Sequence, residues 1–169
     1  MFCFEGLELK CFRLFFVVEN STILFRNVYR NVKKISYFST MKTIHVAAAV
    51  IIQDEKILCV QRNENKFDYI SKKWEFPGGK VEENEKIEET IIREIKEELN
   101  LDIKIKNFLI QVDHSYPDFR IIMDTFECEI IGGNLHLNEH IDSFWLERNE
   151  LNQLDWAEAD LPIVSNLIN

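Results

Sequence analysis

Three glutamates, Glu94, Glu97 and Glu98, stand at i, i+3 and i+4 in the run Arg93–Leu99. On a helix this spacing puts all three carboxylates on one face, within about one turn of each other. Like charges held so close repel and weaken the helix unless something neutralises them. A hard divalent cation does so, because Mg²⁺ takes carboxylate oxygens and leaves its other positions to water or substrate phosphates. The first expectation is therefore a metal site on a helix serving phosphate chemistry, with Mg²⁺ the preferred ion and Mn²⁺ the other candidate.

Glutamate-rich helices are commonly just solvated faces, so the surroundings of the triad have to decide. The stretch Trp74–Leu101 reads WEFPGGKVEENEKIEETIIREIKEELNL. Pro77-Gly78-Gly79 marks a sharp turn, where glycine lets the backbone approach an ion or phosphate closely. A freed Gly78 carbonyl would itself be a ligand for a hard cation. Asn84 is the expected helix N-cap. Glu85, Glu88 and Glu89 follow it and suit the positive end of the helix dipole. Ile87, Ile91, Ile92, Ile95 and Leu99 form the apolar stripe expected to dock the helix on a sheet. The triad lies off that stripe. Arg93 is placed to grip a carboxylate bidentately, and Asn100 suits a left-handed C-terminal cap.

The elements that must position this helix are strands. Residues 43–52 are apolar and β-branched and read as a buried strand. Asp54-Glu55 makes a turn, and Lys56–Arg62 returns as the second arm of a hairpin. Residues 63–73 read as a polar loop. After the helix, Asp102–Ser115 and Phe119–Ile131 read as strands around a Tyr116-Pro117-Asp118 turn, and Gly132-Gly133-Asn134 breaks the second. His136–Ile141 is a loop, Ser143–Leu146 a short strand and Glu147–Leu154 a short helix. Residues 158–168 form a last helix, with Asp160 near its N-cap and Pro162 in its first turn. Several strands with one strong helix in the middle and one at the end make a mixed sheet with helices packed on it, an α/β layered domain.

The chain of 169 residues is long enough for one domain with a real core. Its formal charge of −9 argues against nucleic acid or an anionic membrane as partner. The first 40 residues depart from this, with net charge +3 against −12 for the remainder. They lack the pattern of a secretory signal and any apolar run long enough to span a bilayer. Three readings stand for them: extra translated sequence ahead of a start at Met41, an organelle-targeting extension, or a strand or hairpin packed on the domain. Cys3, Cys11, Cys59 and Cys128 form no CxxC pair, so the expectation is reduced thiols in a cytoplasmic protein.

Gly79, Glu85, Arg93-Glu94-Ile95, Glu97-Glu98 and Leu101, at their spacing, resemble the signature of the Nudix hydrolases. A match of this length arises by chance about once in 10⁵ chains of this size at average composition. The one departure is Asn100, where the family usually has glycine; asparagine also tolerates the left-handed conformation. The resemblance covers residues 41–169. It implies the Nudix fold, a mixed sheet between helices with the signature as a loop–helix–loop. It also implies Mg²⁺-dependent hydrolysis of a nucleoside diphosphate linked to another group. Carried over, Glu94, Glu97 and Glu98 would be metal ligands with the Gly78 carbonyl, Arg93 would orient a glutamate, and Glu85 would support the loop–helix geometry.

WEFPGGK and Ala159-Asp160-Leu161-Pro162 resemble the MutT-like branch, which cleaves nucleoside triphosphates, including oxidised or modified ones such as 8-oxo-dGTP or 5-methyl-dCTP, to a monophosphate and pyrophosphate. Asp160 would then read the base, Phe76 would stack on it or sit in the core, and Arg62 and Lys80 would contact phosphates. Glu139 would be a further metal ligand or the general base. The expected substrate is thus a nucleoside triphosphate, handled by a monomer or homodimer. Other diphosphates (ADP-ribose, a dinucleotide, a capped RNA) remain the alternative, with Pro117 in a region where ADP-ribose hydrolases often carry proline. A non-catalytic nucleotide-binding module is disfavoured because all three triad glutamates are present. His45, His114, His136 and His140 show no ligand spacing; the first is expected to be packed and the others structural or at the surface.

Overall fold

The computed structural model describes residues 41–169 and, ahead of them, the backbone of three strands: β1 (Phe15–Glu19), β2 (Thr22–Tyr29) and β3 (Val32–Phe38). These pair antiparallel in the order β1-β2-β3 within a compact unit, Met1–Met41. Cys3 and Cys11 lie outside the described residues.

Lys42–Asn169 is the second unit. It contains β4 (Lys42–Gln53), β5 (Lys56–Gln61), β6 (Trp74–Glu75), β7 (Gly78–Lys80), α1 (Ile87–Leu99), β8 (Leu101–Ser115), β9 (Phe119–Gly133), β10 (Asp142–Leu146), a 3₁₀ turn at Arg148–Gln153 and α2 (Leu161–Ile168). The main sheet runs β10-β5-β4-β9-β8, with β6 on β5 and β7 on β4. It is mixed: β4 and β9 are parallel and the other pairs antiparallel.

Side chains of β4 alternate between two cores, as a strand's period of two requires. Ala48 and Val50 join Trp74, Phe76, Trp156, Ile163, Val164 and Leu167 on the face covered by α2. Ala47, Ala49 and Ile51 join Ile91, Ile95 and Leu99 on the face covered by α1. A sheet buried on both faces explains why residues 46–51 read as an unbroken apolar run. The expected α/β layering is what forms.

Asp54 and Glu55 both take positive φ, 49° and 65°, as a two-residue hairpin turn of this hand demands. Four local expectations need correction. Asn84 does not cap α1; it sits left-handed (φ 67°) in the preceding turn, and the helix starts at Ile87 after Lys86, whose N–H donates to Glu89 Oε2 at 3.3 Å. Ile92 is 47% exposed, because it falls at the edge of the stripe formed by Ile91, Ile95 and Leu99. Gly132-Gly133 does not end the long hairpin: β9 continues through Gly133, which pairs with Leu101. His45 is exposed on β4 rather than packed. Asn100 does cap α1 with φ 55° and ψ 28°, and its N–H donates to Lys96 O.

Candidate active site

The site is built where β7, α1 and the loop ahead of β10 meet. β7 lies against β4 with Gly78 opposite Ala48. The Ala49 N–H donates to Pro77 O at 2.8 Å and the Val81 N–H to His45 O at 3.0 Å. In an antiparallel ladder such hydrogen-bonded pairs alternate with non-bonded ones. Gly78 therefore falls at a non-bonded position, and its carbonyl points away from β4. A side chain on Gly78 would strike Ala47 O at 2.1 Å, and its φ of 153° further favours glycine. At Gly79 an added Cβ would lie 2.1 Å from the Glu94 carboxyl carbon. The second glycine is thus what lets α1 seat that carboxylate against the turn.

Arg93 ties the loop to the helix. Its Nε and Nη2 donate to the two oxygens of Glu85 at 2.8 and 2.9 Å. Its Nη1 reaches Glu94 Oε1 at 2.9 Å and Glu97 Oε2 at 3.3 Å, and Nη2 also approaches the Lys80 carbonyl. Buried Thr90 donates its hydroxyl to Glu85 Oε2 at 2.7 Å. Arg93, Thr90 and the Glu82 N–H together hold the Glu85 carboxyl down at about 2. Glu85 is the bidentate partner of Arg93, and the same guanidinium steers Glu94 and Glu97.

Glu98 differs from its neighbours. Burial, reinforced by the charges of Glu75, Glu94 and Glu139, pushes its carboxyl up to about 8, against the pull of the Gly78 amide. Its Oε2 is buried with no hydrogen-bond partner among the described residues. Glu139 is exposed but is brought alongside by backbone bonds. The last turn of a helix leaves carbonyls without partners. Here His136 N–H takes Leu99 O, Asn138 N–H takes Glu98 O, and Asn138 Nδ2 takes Glu97 O. The 136–140 loop is thereby fastened to the end of α1 that carries the triad.

Two residues with no expected role stand at the centre. Glu75 is gripped by Arg62 Nε at 3.1 Å and approached by His140 Nε2 at 3.3 Å. Its charge acts on Glu98 and also on Asp160. His140 is 95% buried at its side chain, and its Nδ1 has no partner among the described residues. The adjacency of Glu75 to Phe76-Pro77-Gly78 was the only sequence signal for Glu75. Arg62 engages Glu75 through Nε, and its side chain is 39% exposed.

Asp160 occupies the N-cap position of α2 but makes no side-chain cap. Its Oδ1 instead accepts the Phe76 N–H at 2.9 Å. It is buried, and desolvation with the Glu75 charge pushes its carboxyl up to about 8. Phe76 is in the core, 3% exposed and stacked on Trp156 with centroids 4.8 Å apart; no ring face is open to a base. Lys80 projects into solvent. The His114 side chain contacts Glu158 and Tyr116, and that of His136 bonds Asn138.

A family model described as the NUDIX domain matches residues 43–167. The chain belongs to the Nudix family. It is 32% identical over 124 residues to the CTP pyrophosphohydrolase of Escherichia coli strain K12, spanning 73% of this chain and 90% of that protein. It is 37% identical over 116 residues to the ADP-ribose pyrophosphatase of Methanocaldococcus jannaschii, spanning 66% of each. The solution structure of the MutT protein of methicillin-resistant Staphylococcus aureus 252, a Nudix hydrolase, superposes with a TM-score of 0.61 at 38% identity, covering 76% of this chain and 98% of that one. This Nudix chain is a hydrolase of nucleotide pyrophosphate linkages, and Nudix hydrolases generally use divalent metal ions.

The residues present suit such an ion. The buried, unpartnered Glu98 oxygen, the Gly78 carbonyl turned out of its ladder and the close seat of Glu94 on Gly79 are all oxygen donors of the kind a hard cation takes. Among the described residues, no three acidic, imidazole or thiol side chains converge into a coordination shell as they stand. Arg93 holds both Glu94 and Glu97 through one guanidinium nitrogen.

Proposed function

We propose that residues 41–169 form a Mg²⁺-dependent nucleoside triphosphate pyrophosphohydrolase that releases a nucleoside monophosphate and pyrophosphate. Its substrates are modified or oxidised (d)NTPs such as 8-oxo-dGTP or 5-methyl-dCTP, and it works in the cytoplasm as a monomer or homodimer without nucleic acid or membrane. The observation that carries this reading is Glu75. It accepts from Arg62 and faces His140. The next residue, Phe76, donates its N–H to buried Asp160, and Gly78 turns its carbonyl out beside α1, so a phosphate end and a base end join along one short segment.

Glu94, Glu97, Glu98 and the Gly78 carbonyl would hold the ion. When bound, the ion neutralises phosphate charge and makes its water more acidic. Arg93 keeps Glu94 and Glu97 aimed, anchored through Glu85. The proton of the attacking water passes to a carboxylate of this group, Glu98 or Glu139. The exposed Lys80 is free to meet the outer phosphates, while Arg62 acts by fixing Glu75. Asp160 offers its remaining oxygen, Oδ2, to the base; as a neutral acid it donates a hydrogen bond and as a carboxylate it accepts one.

A second reading, hydrolysis of ADP-ribose, is supported, beside the position of Pro117, by the archaeal relative of that name, which is more identical to this chain than the bacterial CTP enzyme is, over a smaller share of both chains. A substrate panel with Mg²⁺ separates the two. dCTP, 5-methyl-dCTP, dGTP, 8-oxo-dGTP and ADP-ribose are incubated with wild type and with Glu98→Gln, and products are identified. Pyrophosphate released from a triphosphate, lost on metal chelation and reduced by orders of magnitude in Glu98→Gln, is expected. Turnover of ADP-ribose alone would refute the triphosphate assignment.

A further inference from the structure

Asp160 must hold a fixed position to discriminate bases, yet the only hydrogen bond to its side chain among the described residues comes from the Phe76 N–H. The segment leading into it needs a second anchor. That anchor is Tyr116, at the tip of the β8–β9 hairpin. The ring is 4% exposed, and its hydroxyl accepts the Ala159 N–H at 3.1 Å. Ala159 is itself 3% exposed, so without this hydroxyl its amide would be an orphaned buried donor.

Tyr116 is in turn held rigidly. Its own N–H donates to Phe119 O at 2.8 Å. Tyr69 stacks on it with centroids 5.1 Å apart, Phe119 packs at 5.1 Å, and His114 meets its ring edge-on at 4.5 Å. Tyr69 is pinned by its hydroxyl to Asp118 Oδ2 at 2.7 Å. The 63–73 loop and the hairpin tip therefore form one aromatic block whose polar end faces the backbone just before Asp160.

We propose that Tyr116 is a specificity-positioning residue: through the Ala159 amide it sets where Asp160 meets the base, without touching phosphates or metal. This rests on the reading of Asp160 as the base-contacting residue. It predicts that base preference is tuned from a hairpin tip far in sequence from both the signature helix and α2.

The test is a double-mutant cycle of Tyr116→Phe and Asp160→Ala, read as the ratio of kcat/KM values for two triphosphates differing only in the base, 8-oxo-dGTP and dGTP. Phenylalanine keeps the aromatic block and removes only the hydroxyl. Loss of one hydrogen bond's worth of positioning is expected to change the ratio by about fivefold, mostly through KM, with the Mg²⁺ requirement unchanged. In the Asp160→Ala background the same substitution is expected to leave the ratio unaltered, since residues acting through one another are not additive. A purely structural role would lower Tm while leaving the ratio alone in both backgrounds, and that result overturns the proposal while the Asp160 reading survives. An equal change in both backgrounds overturns it as well, because Tyr116 would then act independently. If Asp160→Ala itself leaves the ratio unchanged, the base-contact reading falls, and this proposal with it.

Discussion

Replacing Asp160 by asparagine should make the protein more stable, and increasingly so as the pH rises. Asp160 is 5% exposed, with burial and the neighbouring Glu75 charge favouring its neutral form; the Phe76 amide and Arg62 oppose them without prevailing. Its carboxyl is displaced from an ordinary 3.8 up to about 8. In the unfolded chain it ionises near the ordinary value, so between these limits the folded state binds the extra proton. Stability must then fall as pH rises through that window. The cost is absent below about pH 4, grows through neutrality and levels off above about pH 8, at 1.36 kcal/mol for each unit of displacement. Over about four units this is on the order of 5 kcal/mol, comparable to the whole stability of a modest domain. Asparagine keeps an oxygen for the Phe76 N–H and has no proton to lose. Urea unfolding of both proteins from pH 5 to 8.5 reads the difference directly, because every other titrating group, Glu98 included, is common to both and cancels. The stability gap in favour of the variant is expected to widen by several kcal/mol across this range. A gap that stays constant with pH would refute the claim that Asp160 is held neutral by its burial.

Two further substitutions probe the metal end. Gly79→Ala puts a methyl group 2.1 Å from the Glu94 carboxyl carbon; since Glu94 is a flexible side chain, the fold should survive while the carboxylate is displaced. Steady-state kinetics should show kcat lower by at least about tenfold, as for a small misplacement of a reacting group, with Tm little changed; full activity would show that the seat of Glu94 is unimportant. Arg93→Lys replaces a fork that spans Glu85, Glu94 and Glu97 by a single ammonium. A Mg²⁺ titration of activity should then show affinity or rate lower by about 10–100-fold, the usual cost of losing a group that orients metal ligands; an unchanged titration would remove Arg93 from that role.

What was legible in the sequence is what local periodicity encodes. The apolar run of β4, the paired turn at Asp54-Glu55, the stripe Ile91–Ile95–Leu99 and the left-handed cap at Asn100 all follow from nearest-neighbour geometry and were anticipated. The misreadings come from tertiary choices that local rules cannot see. Asn84 is a good N-cap by type, but the Glu85 carboxylate is wanted by Arg93 and Thr90, which holds residues 82–85 in a turn and delays the helix to Ile87. Phe76, for which base stacking and the core were both open, alternates with Glu75 along the chain, and the ion pair of Glu75 with Arg62 goes with Phe76 on the opposite side, onto Trp156 in the core.

Apart from the side-chain contacts of Glu75 with Arg62 and His140, the hidden part of the site is assembled through backbone groups. Glu139 is brought to the triad because the amides of His136 and Asn138 take the free carbonyls at the end of α1. Asp160 is anchored by the amide of Phe76, and its neighbouring amide by the Tyr116 hydroxyl. Every residue has a backbone, so no residue type marks these contacts in a sequence. The consequence is a division of labour between the ends of the site. The α1 acids, Arg93 and the two glycines are fixed by spacing within one short stretch, and any change of type there breaks a direct contact. The end proposed to meet the base is held by amides from distant segments, where side chains such as Tyr116 and Asp160 are replaceable without unravelling the hydrogen-bonded frame of α1. On the proposed reading of Asp160 as the base contact, substrate choice can therefore change while the signature helix stays as it is, and experiments on specificity belong on β6, the β8–β9 tip and the start of α2.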